Sequence, residues 1–173
     1  MDHSFFIDKI TNSVELARTG ERFDTHVLPV VASDLKVILK KNGWRFNWRN
    51  EFKQADRQVF KLVIQNDTII QGLVSLQRAD NYIEMHLIEA APHNYGKSKL
   101  YSGVPGNLVA FACKTSFELG FDGFVGFVAK TRLIQHYIDT LKAEPVFKNR
   151  MRISKESAEK LVNSYYKSFF HGR

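Results

Sequence analysis

Gly103 and Gly106 lie in the stretch Leu100-Tyr101-Ser102-Gly103-Val104-Pro105-Gly106-Asn107-Leu108, between a strand-like run and a helix-like run. A chain that enters a helix leaves main-chain N–H groups unpaired and gathers about half a positive charge there, an arrangement that binds phosphate. Glycine lets the backbone curl close to an anion without a Cβ in the way. Lys97 and Lys99 stand just before the loop and add charge. A Gly-Xaa-Xaa-Gly loop can also simply turn the chain, and the spacing leaves both readings open.

The run Tyr82–Ala91 carries three polar candidates for acid–base chemistry, Glu84, His86 and Glu89. A two-residue period puts Glu84 and His86 on one face and Glu89 on the other. A carboxylate in a half-buried cleft suits removal of a proton from an ammonium or a relay water. The plainer reading of each is an ion-paired or edge residue. Cys113, among Phe111, Ala112 and Phe117, reads as a small buried hydrophobe. The histidines (His3, His26, His86, His93, His136 and His171) show no paired metal-ligand spacing, so no metal is expected. Neither a G-x-S-x-G elbow nor a full P-loop occurs.

These residues need elements to position them. Ser13–Val31, around the turn Arg18-Thr19-Gly20-Glu21, reads as a strand or hairpin. Ser33 or Asp34 can cap a helix with Leu35, Ile38 and Leu39 on one face, stopped by Asn42-Gly43. Trp44–Gln58 fits a helix or a loop. Val59–Ile64, Thr68–Leu76 and Tyr82–Ala91, separated by short turns, predict an antiparallel meander. After Pro92 come a helix carrying Leu108, Phe111, Ala112, Thr115 and Leu119 and ended by Gly120, then the covered strand Phe121–Ala129. A helix with Leu133, Ile134, Tyr137, Ile138 and Leu141 on one stripe ends before Pro145. A strand at Val146–Ile153 and a last helix over 154–170, capped by Ser154, complete the chain. The alternation predicts an α/β (α+β-like) fold whose mixed central sheet is antiparallel early and parallel late, with helices on both faces.

At 173 residues with 44% hydrophobic content, the chain is the size of one domain (1–173) and can build a core. The lone cysteine excludes a bridged secreted scaffold. No apolar run approaches the ~20 residues that span a bilayer, and Met1–Ser4 lack the pattern of a signal peptide, so a soluble cytoplasmic protein is expected. The net charge is +7, and the segment Lys36–Lys61 holds eight basic residues (Lys36, Lys40, Lys41, Arg45, Arg49, Lys53, Arg57 and Lys61) against Glu51 and Asp56. Such a run is either a solvated face or an attractor of an anionic partner such as nucleic acid. Trp44, Phe46, Trp48 and Phe52 interleave with it and could stack on bases or anchor the segment to the core.

The strand ending in Ala90-Ala91-Pro92, the glycine loop, the following helix, the apolar strand and the helix Leu133-Ile134-Gln135-His136-Tyr137 resemble the core of GNAT-type N-acetyltransferases over residues 59–146. Two positions depart from the family's R/Q-x-x-G-x-G/A loop: Leu100 stands where the basic or amide residue belongs, and Pro105, which has no N–H, where the second small residue belongs. The resemblance implies acetyl-CoA as co-substrate, with main-chain groups of Ile88 and Ala90 along the pantetheine. It places the pyrophosphate against Gly103, Val104, Gly106, Asn107 and Leu108, with Lys97, Lys99 and Lys130 adding charge. It also implies that Tyr137 protonates the departing thiolate and that Glu84, which aligns with a glutamate used as base by some members, Glu89 or His86 takes the amine proton. The expected reaction is direct attack of an amine acceptor, anionic or RNA-linked, in a ternary complex. The resemblance sets no oligomeric state; a homodimer is one arrangement open to it. The alternative is a non-catalytic module of the same fold that binds nucleic acid through segment 36–61.

Overall fold

The computed structural model describes residues 5–172; Met1–Ser4, which carried part of the signal-peptide reading, and Arg173 lie outside the described residues. A hairpin of β1 (Val14–Leu16) and β2 (Arg22–Phe23) leads into β3 (Thr25–Pro29). Two short 3₁₀ turns and α1 (Trp48–Lys53) follow, then β4 (Gln58–Ile64), β5 (Ile70–Arg78) and β6 (Ile83–Ala90). Next come β7 (Tyr101–Ser102), α2 (Val104–Glu118), β8 (Val125–Val128) and α3 (Ile134–Leu141). The hairpin β9 (Glu144–Phe147) and β10 (Arg150–Ile153) and helix α4 (Lys155–Tyr165) complete the fold.

The strands form a seven-stranded mixed sheet in the order β3-β4-β5-β6-β8-β10-β9, beside a small sheet β2-β1-β7. The predicted meander is β4, β5 and β6. Its first turn follows from composition: Asn66 adopts φ of 66° and Asp67 Oδ1 accepts the Ile69 N–H. The parallel part is narrower than expected. Among the described residues only β6 and β8 pair in parallel, because α2 carries the chain across between them, whereas β9 and β10 return as a hairpin and pair antiparallel.

Other expectations are corrected. Residues 32–42 form two 3₁₀ turns, Ala32–Lys36 and Lys40–Asn42, instead of a helix. Leu35 and Ile38 are still buried, and their three-residue spacing suits 3₁₀ geometry as well as α. The Asp34 carboxylate ties this segment down by accepting the Val31 N–H at 2.8 Å and pairing with Lys61. The tail holds two strands where one was expected, turning at Lys148 (φ 52°), and Lys142 (φ 56°) ends α3 before Pro145 is reached. Helix α4 stops at Tyr165 rather than near residue 170; beyond it Phe169 and Phe170 fold back onto Phe117.

Two cores sandwich the sheet. One joins its inner face to α2, α3 and α4 through residues such as Leu62, Val74, Leu108, Phe127, Leu141 and Val162. The other packs Leu35, Ile38, Trp44, Phe46 and Trp48 on the opposite face against Leu73, Leu87 and Ala91. The aromatics of the basic segment are therefore anchors, and Trp44, Phe46 and Trp48 are withdrawn from any stacking on bases.

Two irregularities in β6 set which side chains meet around it. Ser75 pairs with Leu87 and Leu76 with Met85, so His86 is an extra residue, a β-bulge. Ile83 and Met85 before the bulge and Ile88 and Ala90 after it all face the same core. The bulge thus reverses the parity of the strand, and Glu89 shares the face of Glu84 instead of opposing it. Second, β6 pairs with β8 only at Ile83–Val125 and Glu84–Gly126. Beyond that point the two strands part, although β6 runs on to Ala90.

Candidate active site

The glycine loop opens a helix as its spacing predicts. Gly103, in the left-handed region at φ 87°, is the residue before α2, and Pro105 occupies the first turn. The Gly103 N–H donates to both carboxylate oxygens of Asp8, each at 3.2 Å, and Lys99 Nζ lies 2.9 Å from the same carboxylate. These are donors of the kind that hold a phosphate oxygen, and a carboxylate of the chain itself takes that place. A Cβ on Gly103 would come within 2.5 Å of Thr11 Oγ1, and one on Gly106 within 2.7 Å of the Tyr165 hydroxyl. The space beside both glycines is filled by residues 9–13 and by Tyr165, whose hydroxyl accepts the Thr11 N–H at 3.0 Å.

The other predicted loop residues separate into two groups. Val104 and Leu108 are buried, their side chains against the backbone of Gly72. The Asn107 N–H is committed to Gly103 O, and its amide reaches Thr25 Oγ1. In the first turn this leaves the N–H groups of Val104 and Gly106 as the donors without an intrahelical acceptor, since Pro105 has none. Lys97 and Lys130 are exposed.

Where β6 and β8 part, Phe5, Phe6 and Asp8 share a cleft with Ile88, Glu89 and Ala90 of β6. The Phe5 ring stacks on Tyr137 at 4.6 Å and meets Phe127 of β8 edge-on at 5.7 Å. Tyr137 is fully buried, and its hydroxyl donates to the main-chain oxygen of Phe5. Ile7 is part of the core, and its N–H donates to His136 Nε2 at 3.0 Å. Beside this segment a cleft of about 280 Å³ stays open, walled by Phe6, Asp8, Arg45, Glu89, Lys99 and Arg132, with Ile88 and Ala90 of β6 at its base.

The base candidates occupy three different environments. Glu84 is gripped by Arg150, whose guanidinium donates to its two oxygens at 2.6 and 2.7 Å. It sits at the paired start of β6, away from the cleft. Half-buried His86, on the bulge, lies 2.6 Å from Gln77 Oε1; burial, followed by the Arg57 charge, lowers its pKa. Glu89 is the one that reaches the cleft. It accepts from Arg45 N at 2.7 Å, Phe46 N at 3.3 Å, Trp48 Nε1 at 2.7 Å and the Tyr95 hydroxyl at 2.9 Å. These four donors use all of its lone-pair sites. Burial and the Glu89 charge together push the Tyr95 phenol well above its ordinary range, and the Arg45 guanidinium covers the Tyr95 ring at 4.0 Å.

Tyr95 and Asp8 are not site candidates in the sequence, and Arg45 enters there only as one of the cations of the basic segment; the local signal for Asp8 is the apolar triplet Phe5-Phe6-Ile7 in front of it. In the basic segment, Arg57 and Lys61 are held by Glu51 and Asp34, while Lys36, Lys40, Lys41, Arg45, Arg49 and Lys53 are exposed. Cys113 is buried, and burial raises its pKa. Among the described residues no group of three or more His, Cys, Asp or Glu side chains could hold a metal ion, and no helix is long and apolar enough to cross a membrane.

No family model and no curated protein matches the chain. Solved structures do match. Mutant forms of the spermidine/spermine N-acetyltransferase SpeG from Vibrio cholerae align with a TM-score of 0.55 at 15% identity, covering 79% of this chain and 97% of theirs. AtaTR bound with AcCoA aligns with a TM-score of 0.51 at 12% identity, covering 80% and 98%. The KacTA–DNA complex gives 0.50 at 12% identity over 80% and 98%. At these identities the likeness is one of fold, and the chain has the GNAT acetyltransferase fold.

Proposed function

We propose that the chain is an acetyl-CoA-dependent N-acetyltransferase, cytoplasmic and acting as one domain, whose acceptor is an amine carried on an anionic or RNA-linked molecule. The observation behind this reading is the opening between β6 and β8, flanked by the glycine-headed start of α2 and by Tyr137. Acetyl-CoA, bound there, supplies an activated acetyl group. The main chain of Ile88 and Ala90 borders its pantetheine. The N–H groups of Gly103, Val104 and Gly106, with Lys99, hold its pyrophosphate. Tyr137 Oη gives a proton to the departing sulfur as the acceptor nitrogen bonds to the acetyl carbon and the C–S bond breaks; the proton that the nitrogen sheds passes to water in the open cleft. Holding both substrates in one cleft offsets about 7–11 kcal/mol of the barrier when they are well oriented.

The exposed cations Lys36, Lys40, Lys41, Arg49 and Lys53, with Arg45 at the rim of the cleft, favour an anionic acceptor. A polyamine such as SpeG's spermidine would meet like charge. Calorimetry with acetyl-CoA and a thiol-release assay over amine acceptors test the reading. No binding at millimolar coenzyme, either by the chain or by a variant lacking the Asp8 carboxylate, overturns it. Acceptor affinity that ignores ionic strength overturns the anionic acceptor.

A second reading, a non-catalytic module binding nucleic acid through segment 36–61, is favoured by one observation: residues 5–13 already hold part of the groove, with Asp8 on the Gly103 N–H and Phe5 on Tyr137. Coenzyme binding with no thiol release over a broad amine panel would decide for it.

A further inference from the structure

Residues 5–13 meet the groove at the points where the proposed function needs a coenzyme. At the phosphate end, the Asp8 carboxylate takes the Gly103 N–H and the Lys99 ammonium. In the middle, the Ile7 main chain is held by His136 and its side chain is only 3% exposed. At the reactive end, the Phe5 carbonyl accepts from the Tyr137 hydroxyl while its ring packs against both Tyr137 and Phe127, which also meet each other edge-on. Anion, main chain and carbonyl follow one another as phosphate, pantetheine and thioester do in the coenzyme. The coenzyme cannot take these contacts at Gly103, Lys99 and Tyr137 while the segment holds them.

The way the segment is held also lets it leave. Residues 5–13 precede β1 and pair with no strand among the described residues, so releasing them breaks no sheet ladder. Their ties include side-chain bonds through Asp8, His136, Tyr137 and Tyr165 to the loop before α2, to α3 and to α4, and an ion pair of Lys9 with Glu15 of β1 at 2.7 Å. Leaving would expose Ile7, Phe5 and the groove walls they cover; a ligand in the groove would cover the walls again and so offset part of that loss.

We propose that residues 5–13 form an intramolecular latch that occupies the coenzyme groove, so that coenzyme binds only to the opened chain. The latch rests on the proposed function, in which that groove is the coenzyme site. The apparent affinity is then the intrinsic affinity reduced by the fraction of molecules that are open. Asp8 is the central contact, because its negative charge sits where the phosphates must go.

Hydrogen exchange on the full chain, with and without acetyl-CoA, tests the latch directly. The expected result is that added acetyl-CoA speeds exchange at the Ile7 and Thr11 amides while the Gly103 amide stays protected, its carboxylate acceptor replaced by a phosphate. Calorimetry should show Asp8→Ala binding acetyl-CoA about tenfold or more tightly than the unaltered chain. Phe5→Ala should shift affinity in the same direction. If acetyl-CoA binds the unaltered chain and Asp8→Ala equally, or the variant more weakly, with Ile7 and Thr11 still protected, the latch is overturned and the coenzyme reading stands. If neither the chain nor either variant binds, both fall. Should Asp8→Ala not fold, the exchange result on the unaltered chain decides alone.

Discussion

The Tyr137 hydroxyl and the Phe5 carbonyl are hydrogen-bonded across 132 positions of sequence, with their two rings stacked. The bond ties the residue proposed as acid to the segment proposed as latch. Tyr137→Phe keeps the ring against Phe5 and Phe127 and removes only the donor, leaving a half-buried carbonyl unpaired. Urea unfolding should show a loss of about 1–2 kcal/mol. In turnover, kcat should fall by about 10²-fold, the usual worth of a positioned acid. KM for acetyl-CoA should fall as well, because the latch has lost a tie. Full kcat in the variant would assign protonation of the thiolate to water.

Glu89 joins β6 to the segment carrying Arg45, Phe46 and Trp48. Glu89→Gln turns one of its two acceptor atoms into a donor that faces N–H and O–H groups. Donors among Arg45 N, Phe46 N, Trp48 Nε1 and Tyr95 Oη then lose their acceptor inside a site where Glu89 is 2% exposed. Unfolding free energy should drop by about 2–4 kcal/mol. The Trp48 indole should report it as a changed emission maximum in the native state. A variant as stable as the unaltered chain would show that the carboxylate is spare, and would restore it as a candidate base.

What could be read from residues alone was what local chemistry decides. The Asn66-Asp67 turn, the apolar runs of β4 to β6, the glycine brackets around α2 and the stripe of α3 each state their element within a few positions. Faces were read by counting in twos, which holds only while a ladder stays regular; the extra residue at His86 moved Glu89 to the other side. Leu35 and Ile38 are three apart, a spacing common to α and 3₁₀ helices, and Asp34 settled the matter through Lys61, 27 positions away. Glu84 is a base candidate through its place on the strand and the resemblance, and its partner Arg150, 66 positions on, leaves no trace near it. For the same reason nothing around Gly103 announced Asp8, which lies 95 positions earlier.

Gly103 and Gly20 separate conformation from crowding. Both have positive φ, 87° and 76°, but a Cβ on Gly20 meets nothing within 4 Å, whereas one on Gly103 meets Thr11 Oγ1 at 2.5 Å and Ser13 O at 3.0 Å. Gly20→Ala should therefore lose about 1–2 kcal/mol, the conformational cost alone. Gly103→Ala should lose more, and its Thr11 amide should exchange faster than in the unaltered chain. Equal losses in urea unfolding would mean that residues 11–13 do not press on the loop.

Acid should loosen the latch. The Ile7 N–H donates to His136 Nε2, so that nitrogen must carry a lone pair, and a proton there abolishes the bond. Burial lowers the His136 pKa below its ordinary value of 6.5, with the Asp139 charge acting the other way and the Phe6 ring stacked on the imidazole. His86 and His93 are also lowered, mainly by burial. A histidine depressed in the fold binds protons more readily when unfolded. Its contribution is complete above about 6.5 and is lost as pH falls from there through the folded pKa. Unfolding free energy should thus decline below pH ~6.5. In His136→Gln the decline should be shallower, and Ile7 exchange, corrected for its intrinsic pH dependence, should lose the acid-induced rise seen in the unaltered chain. A stability profile flat from pH 7 to pH 5, or one that His136→Gln leaves unaltered, would remove His136 from the latch.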